Sequence, residues 1–500
     1  MKSDGKKIIT GYFYNPLSFI GAILAVLVLM AEFVLFGIDF YGHYSNLYLG
    51  LGTYLVLPPF LILGILMIFL GFLLERRKAR MGVAGDQKGR FIFDFSQPQT
   101  RNTGIIIVVA AVIFMIMTAI GTYKAFHYTE SVAFCGLLCH EVMKPEYVAY
   151  QNSPHARVKC VDCHIGAGAG WYVRSKISGA RQVVKTLLNS YERPIPVPVH
   201  NLRPAKETCE ECHWPGKSFG NIEQDRQYYS TGSDGQPAHW TLRMLMHVSA
   251  KEGNSQGIHA HMSANNKVSY VASDEKRQVI TWIRSVNDAG VATVYTTKDS
   301  PYKNAEPPQG KIRQMDCMDC HTRPSHHYEA PMPLVNRAIA EGRIDPAIPL
   351  IKDKAVAALA RKYSTEDEAV AAIRTSLLAY YKEKQAPFYT AHEKNIQGSV
   401  DAVVDLFKHN MFPEMKVRWD VYPDNIGHMI SPGCFRCHDG EHQSNAGKVV
   451  TRDCRVCHAI IAQGPADNVE KSVDGLPFRH PFDGDESWKE MNCADCHSGS

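Results

Sequence analysis

The sequence has no cysteine outside one repeated motif and no basic tract interleaved with aromatic residues. Its 54 Lys and Arg residues nearly balance 50 Asp and Glu residues, which leaves a formal net charge of +4. Without a concentrated basic surface, the chain lacks the electrostatic pattern typical of nucleic-acid-binding proteins. We therefore expect no nucleic-acid partner.

All 14 cysteines fall into seven motifs, of which six read C-x-x-C-H and the first reads C-x-x-x-C-H. Disulfides and zinc sites would not require a histidine after every cysteine pair, whereas c-type haem attachment does. Two thiols bond the porphyrin and the histidine ligates the iron, so the sequence predicts seven covalently attached haems and electron transfer. The attachment cysteines are Cys135, Cys139, Cys160, Cys163, Cys209, Cys212, Cys317, Cys320, Cys434, Cys437, Cys454, Cys457, Cys493 and Cys496. The motif histidines are His140, His164, His213, His321, His438, His458 and His497.

Three long apolar runs occupy the first quarter of the chain, at Leu17–Phe40, Leu47–Leu74 and Gly104–Phe126. Each is long enough to cross a bilayer core, which takes about 20 residues. No small-residue cleavage site follows the first run, so we expect it to be retained rather than removed as a signal peptide. The prediction is a three-helix membrane anchor over residues 1–126.

Basic residues precede the first apolar run and follow the second. The connection between the two runs, Asp39–Asn46, contains no Lys or Arg. The positive-inside rule then places the N-terminus in the cytoplasm and residues 127–500 on the opposite side. We expect the bacterial inner membrane, with the haem region in the periplasm, where haem attachment takes place. The basic residues are Lys2, Lys6, Lys7, Arg76, Arg77, Lys78 and Arg80.

Motif spacing divides the exported part of the chain. The predicted segments are 127–213 with haems 1–3, a β-rich insertion at 214–316, a haem 4 segment at 317–330, a helical segment at 331–412 and a three-haem region at 413–500. The fold class is a membrane-anchored multihaem cytochrome c: three transmembrane helices, then a mostly α and loop region packed with haem and carrying the small β-rich insertion. With so little regular structure, we expect haem to fill much of the core.

Local patterns place the regular elements of that region. Periodicity predicts helices near Asp353–Lys362 and Thr365–Gln385. Alternating β-branched residues predict the insertion's strands. The predicted strands are Trp240–Val248, Lys267–Ala272, Val279–Val286 and Ala292–Thr297. The last 85 or so residues are predicted to be mostly loop.

A low-spin haem needs a second axial ligand, usually His or Met. His428, His442 and His480 lie close in sequence to the three C-terminal motifs, so we predict them as ligands there. His409 could replace any of them. Four histidines of the insertion could serve the third haem or line a pocket: His239, His247, His259 and His261.

The region from Phe134 to His164 resembles the NapC/NrfH family of membrane-anchored, quinol-oxidising cytochromes. The resemblance covers roughly residues 105–330, interrupted by the insertion. The matching residues are Phe134, Cys135 through His140, Met143-Lys144-Pro145, Ser153-Pro154-His155, Cys160 through His164, Trp171, Lys176, Gly179, Arg203-Pro204, and Cys317 through His321 followed by His326.

The resemblance implies further ligands and a substrate site. It places His155 opposite His321 and His326 opposite His164 as distal haem ligands. It also implies that Lys176 lines the quinol pocket beside the first haem, and that Met143 ligates that haem in place of the motif histidine.

Two departures from the family pattern bear on that site. The family motif is C-x-x-C-H-x-M, and this chain has C-x-x-x-C-H-x-x-M, so the first iron is left open between His140 and Met143. Gln182 and Val183 stand where the family has an acidic residue. The sequence therefore leaves the identity of the proton acceptor undecided. Glu32, within the first apolar run, is a candidate because an ionisable residue inside a membrane span is by default a functional one.

These observations predict a quinol dehydrogenase that passes electrons from menaquinol to soluble periplasmic multihaem cytochromes. The exchange with the menaquinol/menaquinone pool would take place at the membrane, and the sequence leaves a homo-oligomer open. One alternative is a terminal reductase acting on nitrite, hydroxylamine or a sulfur compound. Another is a non-catalytic membrane anchor for a partner enzyme, which the long C-terminal three-haem region disfavours.

Overall fold

The chain forms two units, Met1–His140 and Glu141–Ser500. The structure, a computed structural model, describes residues 15–42, 52–81, 98–166, 168–197, 203–213, 220–231, 237–249, 257–262, 267–287, 289–481 and 486–497.

The N-terminal unit is helical in its described residues. A π-helical turn at Gly52–Val56 leads directly into the second helix. The helices are α1 (Pro16–Gly42), α2 (Leu57–Arg80), α3 (Pro98–Thr129) and α4 (Val132–Leu137).

Two of these segments, Pro16–Ile38 and Gly52–Lys78, are long and apolar enough to cross a membrane. They correspond to the first two predicted spans. The third predicted span, Gly104–Phe126, lies within the 32-residue helix α3. Among the described residues α3 is not one of the two candidate spans, so the third span stays a prediction.

Helices α1 and α2 pack through small residues. A Cβ atom at Gly21 would lie 2.7 Å from the Gly64 carbonyl oxygen, and one at Gly64 would lie 2.9 Å from the Ala25 nitrogen. Next to this contact, the Ser18 hydroxyl donates a hydrogen bond to the Ile68 carbonyl at 3.1 Å. Small residues allow helix backbones to approach closely where lipid offers no hydrophobic driving force between helices.

Gly64→Val should weaken this helix pair because its side chain would collide with the α1 backbone. We expect the free energy of unfolding to fall by about 1–3 kcal/mol, the usual effect of overpacking. The measurement is an SDS titration of the purified protein, with helicity followed by circular dichroism.

Gly37→Val is the matched control, because no described atom lies within 4 Å of the position of its Cβ atom. It should leave the unfolding midpoint unchanged. An equal loss in the two variants would contradict a specific contact at Gly64.

The first part of the second unit is built from short helices joined by loops. They are α5 (His140–Gln151, which begins at the last residue of the N-terminal unit), α6 (Cys160–His164), α7 (Ala169–Leu187) and α8 (Ala205–Cys209). Three of them begin or end at a haem motif, so these helices carry motif residues rather than a large apolar core.

A conventional hydrophobic core does exist in the predicted helical segment. Its helices are α9 (Pro331–Ala340), α10 (Ile351–Ala360), α11 (Glu366–Lys384) and α12 (Ala386–Asn410). The two helices predicted there agree with α10 and α11 to within a few residues. Leu334, Ile373, Tyr381 and Ile396 are among its fully buried residues. The expectation that haem fills much of the core therefore does not extend to this segment.

Helix α11 shows how the sequence sets its own limits. Thr365 caps its start by accepting a hydrogen bond from the Glu368 backbone nitrogen at 3.1 Å. Acidic residues occupy the first turn, and Lys382 and Lys384 occupy the last. Both charge placements complement the helix dipole.

In the residues that the structure describes, eight strands form two antiparallel sheets. One sheet has the order β1-β2-β7-β8 and the other β5-β4-β3-β6. The strands are β1 (Ile222–Thr231), β2 (Pro237–Met246), β3 (Lys267–Ala272), β4 (Ile280–Val286), β5 (Ala292–Thr296), β6 (Arg313–Gln314), β7 (His458–Pro465) and β8 (Glu470–Leu476).

The first sheet departs from the predicted layout. Strands β7 and β8 lie in the C-terminal region, which was predicted to be mostly loop, and β7 pairs with β2 of the insertion from Met246↔His458 to Trp240↔Pro465. The insertion therefore shares a sheet with the C-terminal region and is not a separate β-structure. Strand β7 begins at His458, the histidine of the sixth haem motif. In the sequence this residue indicates haem attachment, so the start of a strand could not be recognised there.

Candidate functional site

The haem motifs adopt tight helical turns. In the third, fourth, fifth and seventh motifs the backbone nitrogen of the motif histidine donates to the carbonyl of the first cysteine, at 2.8 Å for His213, His321 and His497 and at 3.0 Å for His438. Such a turn brings both sulfurs and the imidazole to one side of the chain. All 14 cysteines lie in described residues and none forms a disulfide.

The second, third and fourth motifs lie next to one another. Burial first, and then neighbours that include Cys212 of the third motif, raise the pKa of Cys163 in the second. A side-chain hydrogen bond with Cys317 of the fourth motif raises the pKa of Cys209 in the third. In the haem-bound protein these sulfurs are thioethers, so the contacts report the positions of the motifs.

The C-terminal motifs extend this series, so that the motifs form a row in which each lies next to the following one. Burial and then Cys434 of the fifth motif raise the pKa of Cys320 in the fourth to about 11. Burial and then Cys434 likewise raise the pKa of Cys457 in the sixth to about 11. Burial and then Cys454 of the sixth raise the pKa of Cys493 in the seventh. Six consecutive motifs therefore follow one another in space in the order of the sequence.

Among the described residues, five motif histidines each face a second histidine at nearly the same distance. An imidazole nitrogen lies about 2 Å from a metal ion that it ligates. Two imidazoles on opposite sides of one iron therefore have ring centroids roughly 6 Å apart. The ring centroids are 6.0 Å apart for His213 and His155, 6.1 Å for His164 and His326, 6.0 Å for His438 and His261, 6.2 Å for His458 and His428, and 5.9 Å for His497 and His480.

Backbone carbonyls orient several of these rings. A carbonyl only accepts hydrogen bonds, so a ring nitrogen bonded to one must carry the proton. The other nitrogen, Nε2, then keeps the lone pair that a metal requires. The Nδ1 bonds are His155 to Pro324 at 3.3 Å, His326 to Glu146 at 2.9 Å, His261 to Ile258 at 2.6 Å and His438 to Thr451 at 3.0 Å.

The pair His428 and His458 supplies an independent test of fit. Each has a buried Nδ1 atom for which no described residue supplies a hydrogen-bond partner, a state that costs free energy unless another group satisfies the nitrogen. Burial, then the His428 and His247 rings, lower the pKa of His458 to about 4. The neutral imidazole is the form that ligates metals. These residues fit a haem iron held between two histidines.

The structure brings some of the predicted ligands together and separates others. It places His326 opposite His164, His428 opposite His458 and His480 opposite His497. His155 was predicted opposite His321, but its ring faces His213 instead. The loop that carries His155 is held by the Tyr150 hydroxyl, which shares its one proton between the carbonyl oxygens of Ala156 and Val158, at 2.7 and 2.9 Å.

His442 does not face a motif histidine, contrary to its predicted role. Its side chain is fully buried, its Nδ1 atom lies 2.8 Å from Asp439 Oδ2, and its Nε2 atom lies 3.2 Å from the Ile280 carbonyl. Both ring nitrogens are therefore engaged by protein groups. His261 of the insertion faces His438 instead, a role that nearness in sequence could not indicate.

The first motif and the predicted quinol residues lie on separate helices. His140 begins α5 and Met143 follows three residues later, so both lie on one helix face. Lys176 lies on α7 with its Nζ atom 4.6 Å from the Tyr172 ring centroid, a cation–π contact. Gln182 on the same helix donates to the Ser178 hydroxyl at 3.3 Å. On α1, the Oε1 atom of Glu32 is buried and has no hydrogen-bond partner among the described residues.

A buried carboxylate joins the fourth motif to the second sheet. Asp319 lies between the two cysteines of that motif and is 2% exposed. It accepts hydrogen bonds from the Tyr270 hydroxyl at 2.6 Å, from Arg313 Nε at 2.9 Å and from Arg277 Nη1 at 3.3 Å. Burial and then this carboxylate raise the pKa of Tyr270. The Asp319 carbonyl also accepts from Arg436 of the fifth motif at 2.7 Å.

Comparison with known proteins identifies the class. Residues 97–197 match the model of the NapC/NirT cytochrome c family, N-terminal region. Over 487 residues the chain is 38% identical to the cytochrome c-type protein ImcH of Geobacter sulfurreducens, covering 97% of this chain and 96% of that protein. Over 213 residues it is 22% identical to the cytochrome c-type protein TorC of Escherichia coli K12, covering 41% and 52%. No solved structure matches significantly.

The protein is therefore a multihaem c-type cytochrome with a NapC/NirT region, which implies covalently bound haem and electron transfer. More particularly, the chain belongs to the family of the cytochrome c-type protein ImcH. The predicted relationship to NapC-type cytochromes is confirmed.

Asp319→Asn should destabilise the protein because two arginines lose the buried carboxylate that offsets their charge. Removing one partner of a buried ion pair costs about 3 kcal/mol or more. Guanidinium unfolding of the haem-loaded protein, followed by circular dichroism, measures the change.

Asp225→Asn is the matched control, because the Asp225–Arg243 pair is exposed, with side-chain exposures of 40% and 42%. Exposed pairs contribute about 0–1 kcal/mol. If the two variants unfold at the same denaturant concentration, the Asp319 network does not stabilise the junction.

Proposed function

We propose that this protein is an inner-membrane quinol dehydrogenase that oxidises menaquinol and delivers the electrons to soluble periplasmic multihaem cytochromes. The observation that carries the proposal is the row of six neighbouring haem motifs, five of which carry facing histidines. When bound, seven c-type haems would take up and release electrons singly, which joins a two-electron donor to one-electron acceptors.

The facing histidines favour electron transfer over the reductase alternative. A substrate of a haem reductase needs an open position on one iron. At five motifs the two facing imidazoles would hold an iron from both sides, and those sites would then offer no place for nitrite or hydroxylamine. A site closed in this way suits electron transfer without ligand exchange.

Three helices would anchor the protein in the inner membrane. Helix α3 has 32 residues and, at about 1.5 Å per residue, is longer than the hydrocarbon core of a bilayer. Arg76, Arg77 and Lys78 close to the end of α2 mark the cytoplasmic side by the positive-inside rule. Crossing once more through α3 would bring residues 127–500 to the periplasmic side.

Helix α7, which carries Lys176, has features of a helix that lies in a membrane interface. Its apolar side chains Val173, Ile177, Val184 and Leu187 are 54%, 68%, 54% and 80% exposed and follow a helical repeat. Basic residues share the helix. An exposed apolar stripe beside basic side chains is typical of interfacial helices. There Lys176 could donate a hydrogen bond to a quinol oxygen and stabilise the anion formed on deprotonation.

Quinol oxidation also releases two protons, and this chain lacks the acidic residue that related cytochromes place after the lysine. Glu32 is the residue that we propose to take up a proton. One of its carboxylate oxygens is buried and has no partner in the part of the chain that the structure describes, so protonation would relieve the cost of a buried charge.

Lys176→Gln should slow the reduction of the haem-loaded protein by menaquinol about 100-fold, as expected for loss of a group that assists proton transfer. Anaerobic mixing with menaquinol, followed through the absorbance band of reduced haem, measures the rate. Reduction by dithionite should be unchanged.

Lys185→Gln removes the same charge from the same helix and should react at the wild-type rate. If Lys176→Gln also reacts at that rate, Lys176 is not in the quinol site. If menaquinol does not reduce even the wild-type protein, while dithionite reduces it fully, the proposed function is wrong.

Glu32→Gln should slow menaquinol oxidation about tenfold and leave dithionite reduction unchanged, since only the quinol reaction releases protons. The same mixing experiment measures the change. Glu75→Gln on α2 is the control. The Glu75 carboxylate pairs with Lys78 at 3.7 Å, and both side chains are partly open to solvent, so we expect Glu75 to take no part in the reaction. Equal rates in all three proteins would remove Glu32 from the reaction.

A further inference from the structure

The histidine that faces the second motif has two acceptors at one ring nitrogen. His326 faces His164 with ring centroids 6.1 Å apart. Its Nδ1 atom lies 2.9 Å from the Glu146 carbonyl oxygen and 3.3 Å from Oε2 of the same residue. At three other facing histidines the Nδ1 bond goes to a backbone carbonyl, which carries no net charge. The Nδ1 proton of His326 therefore faces a peptide dipole and a carboxylate together.

Arg323 holds that carboxylate in place. Its Nη2 atom lies 2.7 Å from Glu146 Oε2, and the two side chains are only 12% and 13% exposed. The Arg323 Nε atom donates to the His326 carbonyl at 2.8 Å. One guanidinium thus bonds both the carboxylate and the backbone of the histidine that the carboxylate faces. Because water has little access to this pair, its charges act on the imidazole with little screening.

Two tyrosines restrain the guanidinium. The Arg323 Cζ atom lies 5.0 Å from the Tyr328 ring centroid and 4.1 Å from that of Tyr422, and both are cation–π contacts. Both rings are buried, and the Tyr422 hydroxyl donates to the Ile195 carbonyl at 2.7 Å. Movement of Arg323 away from Glu146 would cost these contacts, so the positions of the two charges are fixed relative to the His326 ring.

The two charges act on the imidazole in opposite directions. A hydrogen bond from Nδ1 to an anion makes the other ring nitrogen a stronger electron donor. A stronger donor favours the ferric state and lowers the reduction potential of the iron that it ligates, since hydrogen bonding to an axial ligand is one of the controls on that potential. Arg323 bonds the same carboxylate oxygen and therefore reduces the negative charge that His326 experiences.

We propose that Glu146 and Arg323 are positioning residues that set the reduction potential of the haem held between His164 and His326. Glu146 lowers this potential, and Arg323 limits the lowering. Reduction adds one electron to the iron and leaves both imidazoles bound. Only the relative stability of the ferric and ferrous states therefore depends on the two charges.

The test uses the full-length, haem-loaded protein. Glu146→Gln removes the negative charge and keeps the length of the side chain, so one haem should become easier to reduce. At a given applied potential its ratio of reduced to oxidised form should rise about tenfold, which is about 59 mV for a one-electron couple. Arg323→Gln should shift the same haem by a similar amount in the opposite direction. A redox titration followed by low-temperature electron paramagnetic resonance measures both shifts.

Opposite signs distinguish an electrostatic role from a structural one, because disturbed packing gives no reason for the two variants to move apart. Arg323→Lys keeps the positive charge and should shift the haem less than Arg323→Gln does, and it keeps the proposal testable if Arg323→Gln folds poorly. Shifts of the same sign, no shift, or a new high-spin signal in Glu146→Gln would overturn the proposal.

The Arg374–Asp401 ion pair between α11 and α12 provides the matched control. In the part of the chain that the structure describes, neither side chain contacts a histidine of a facing pair. Arg374→Gln and Asp401→Asn repeat the two charge changes and should leave every midpoint of the titration unchanged. Equal shifts in these variants would mean that the net charge of the protein, and not the network at His326, determines the potential.

No quinol enters this experiment, so its outcome is independent of the proposed quinol reaction. The potentials could stay unchanged while menaquinol still reduces the protein, or shift as expected while it does not. The two proposals are therefore judged separately.

Discussion

Two imidazoles can hold one iron only if their rings face each other with centroids about 6 Å apart, and the second unit is arranged around that constraint. Each haem motif fixes one imidazole locally, through a tight turn of five or six residues. The facing imidazole comes from another segment in all five pairs, so each pair joins parts of the chain that no helix or strand connects. At the pair of His164 and His326, for example, Arg323 close to His326 also forms an ion pair at 2.7 Å with Glu146 of α5.

The helical core of α9–α12 stabilises a different part of the protein by ordinary means. Leu334, Ile373 and Phe407 are almost completely buried there, and burial of such side chains contributes about 1.5–3 kcal/mol each. Around the motifs, by contrast, cysteines and histidines line the interior and many remain half-exposed. Those surfaces need the porphyrins to cover them. We therefore expect the helical core to tolerate haem loss better than the motif row.

The motifs could be recognised from sequence alone because their chemistry is local: two thiols and an imidazole within one turn. The facing histidines could be recognised only in part, because their selection depends on tertiary distance: His428 and His480 were predicted from nearness in sequence and do face motif histidines. His442 was predicted from its nearness in sequence to the C-terminal motifs, but Asp439 and the Ile280 carbonyl engage both its nitrogens. His261 lies far from His438 in sequence and faces it in space. The helices α10 and α11 were predictable because their periodicity and capping are again local.

The structure changes the interpretation of the insertion more than that of any other segment discussed above. From the sequence alone it is an isolated β-rich segment between the third and fourth motifs, with no role for the other haem motifs. In the structure β2 pairs with β7, which begins at His458 of the sixth motif, and β3 contributes Tyr270 to the carboxylate of the fourth. The 3₁₀ turn Ile258–Met262, which carries His261, lies between these two strands along the chain. Because the insertion reaches the fourth, fifth and sixth motifs, any shift of its sheets would alter the spacing of three consecutive haems together.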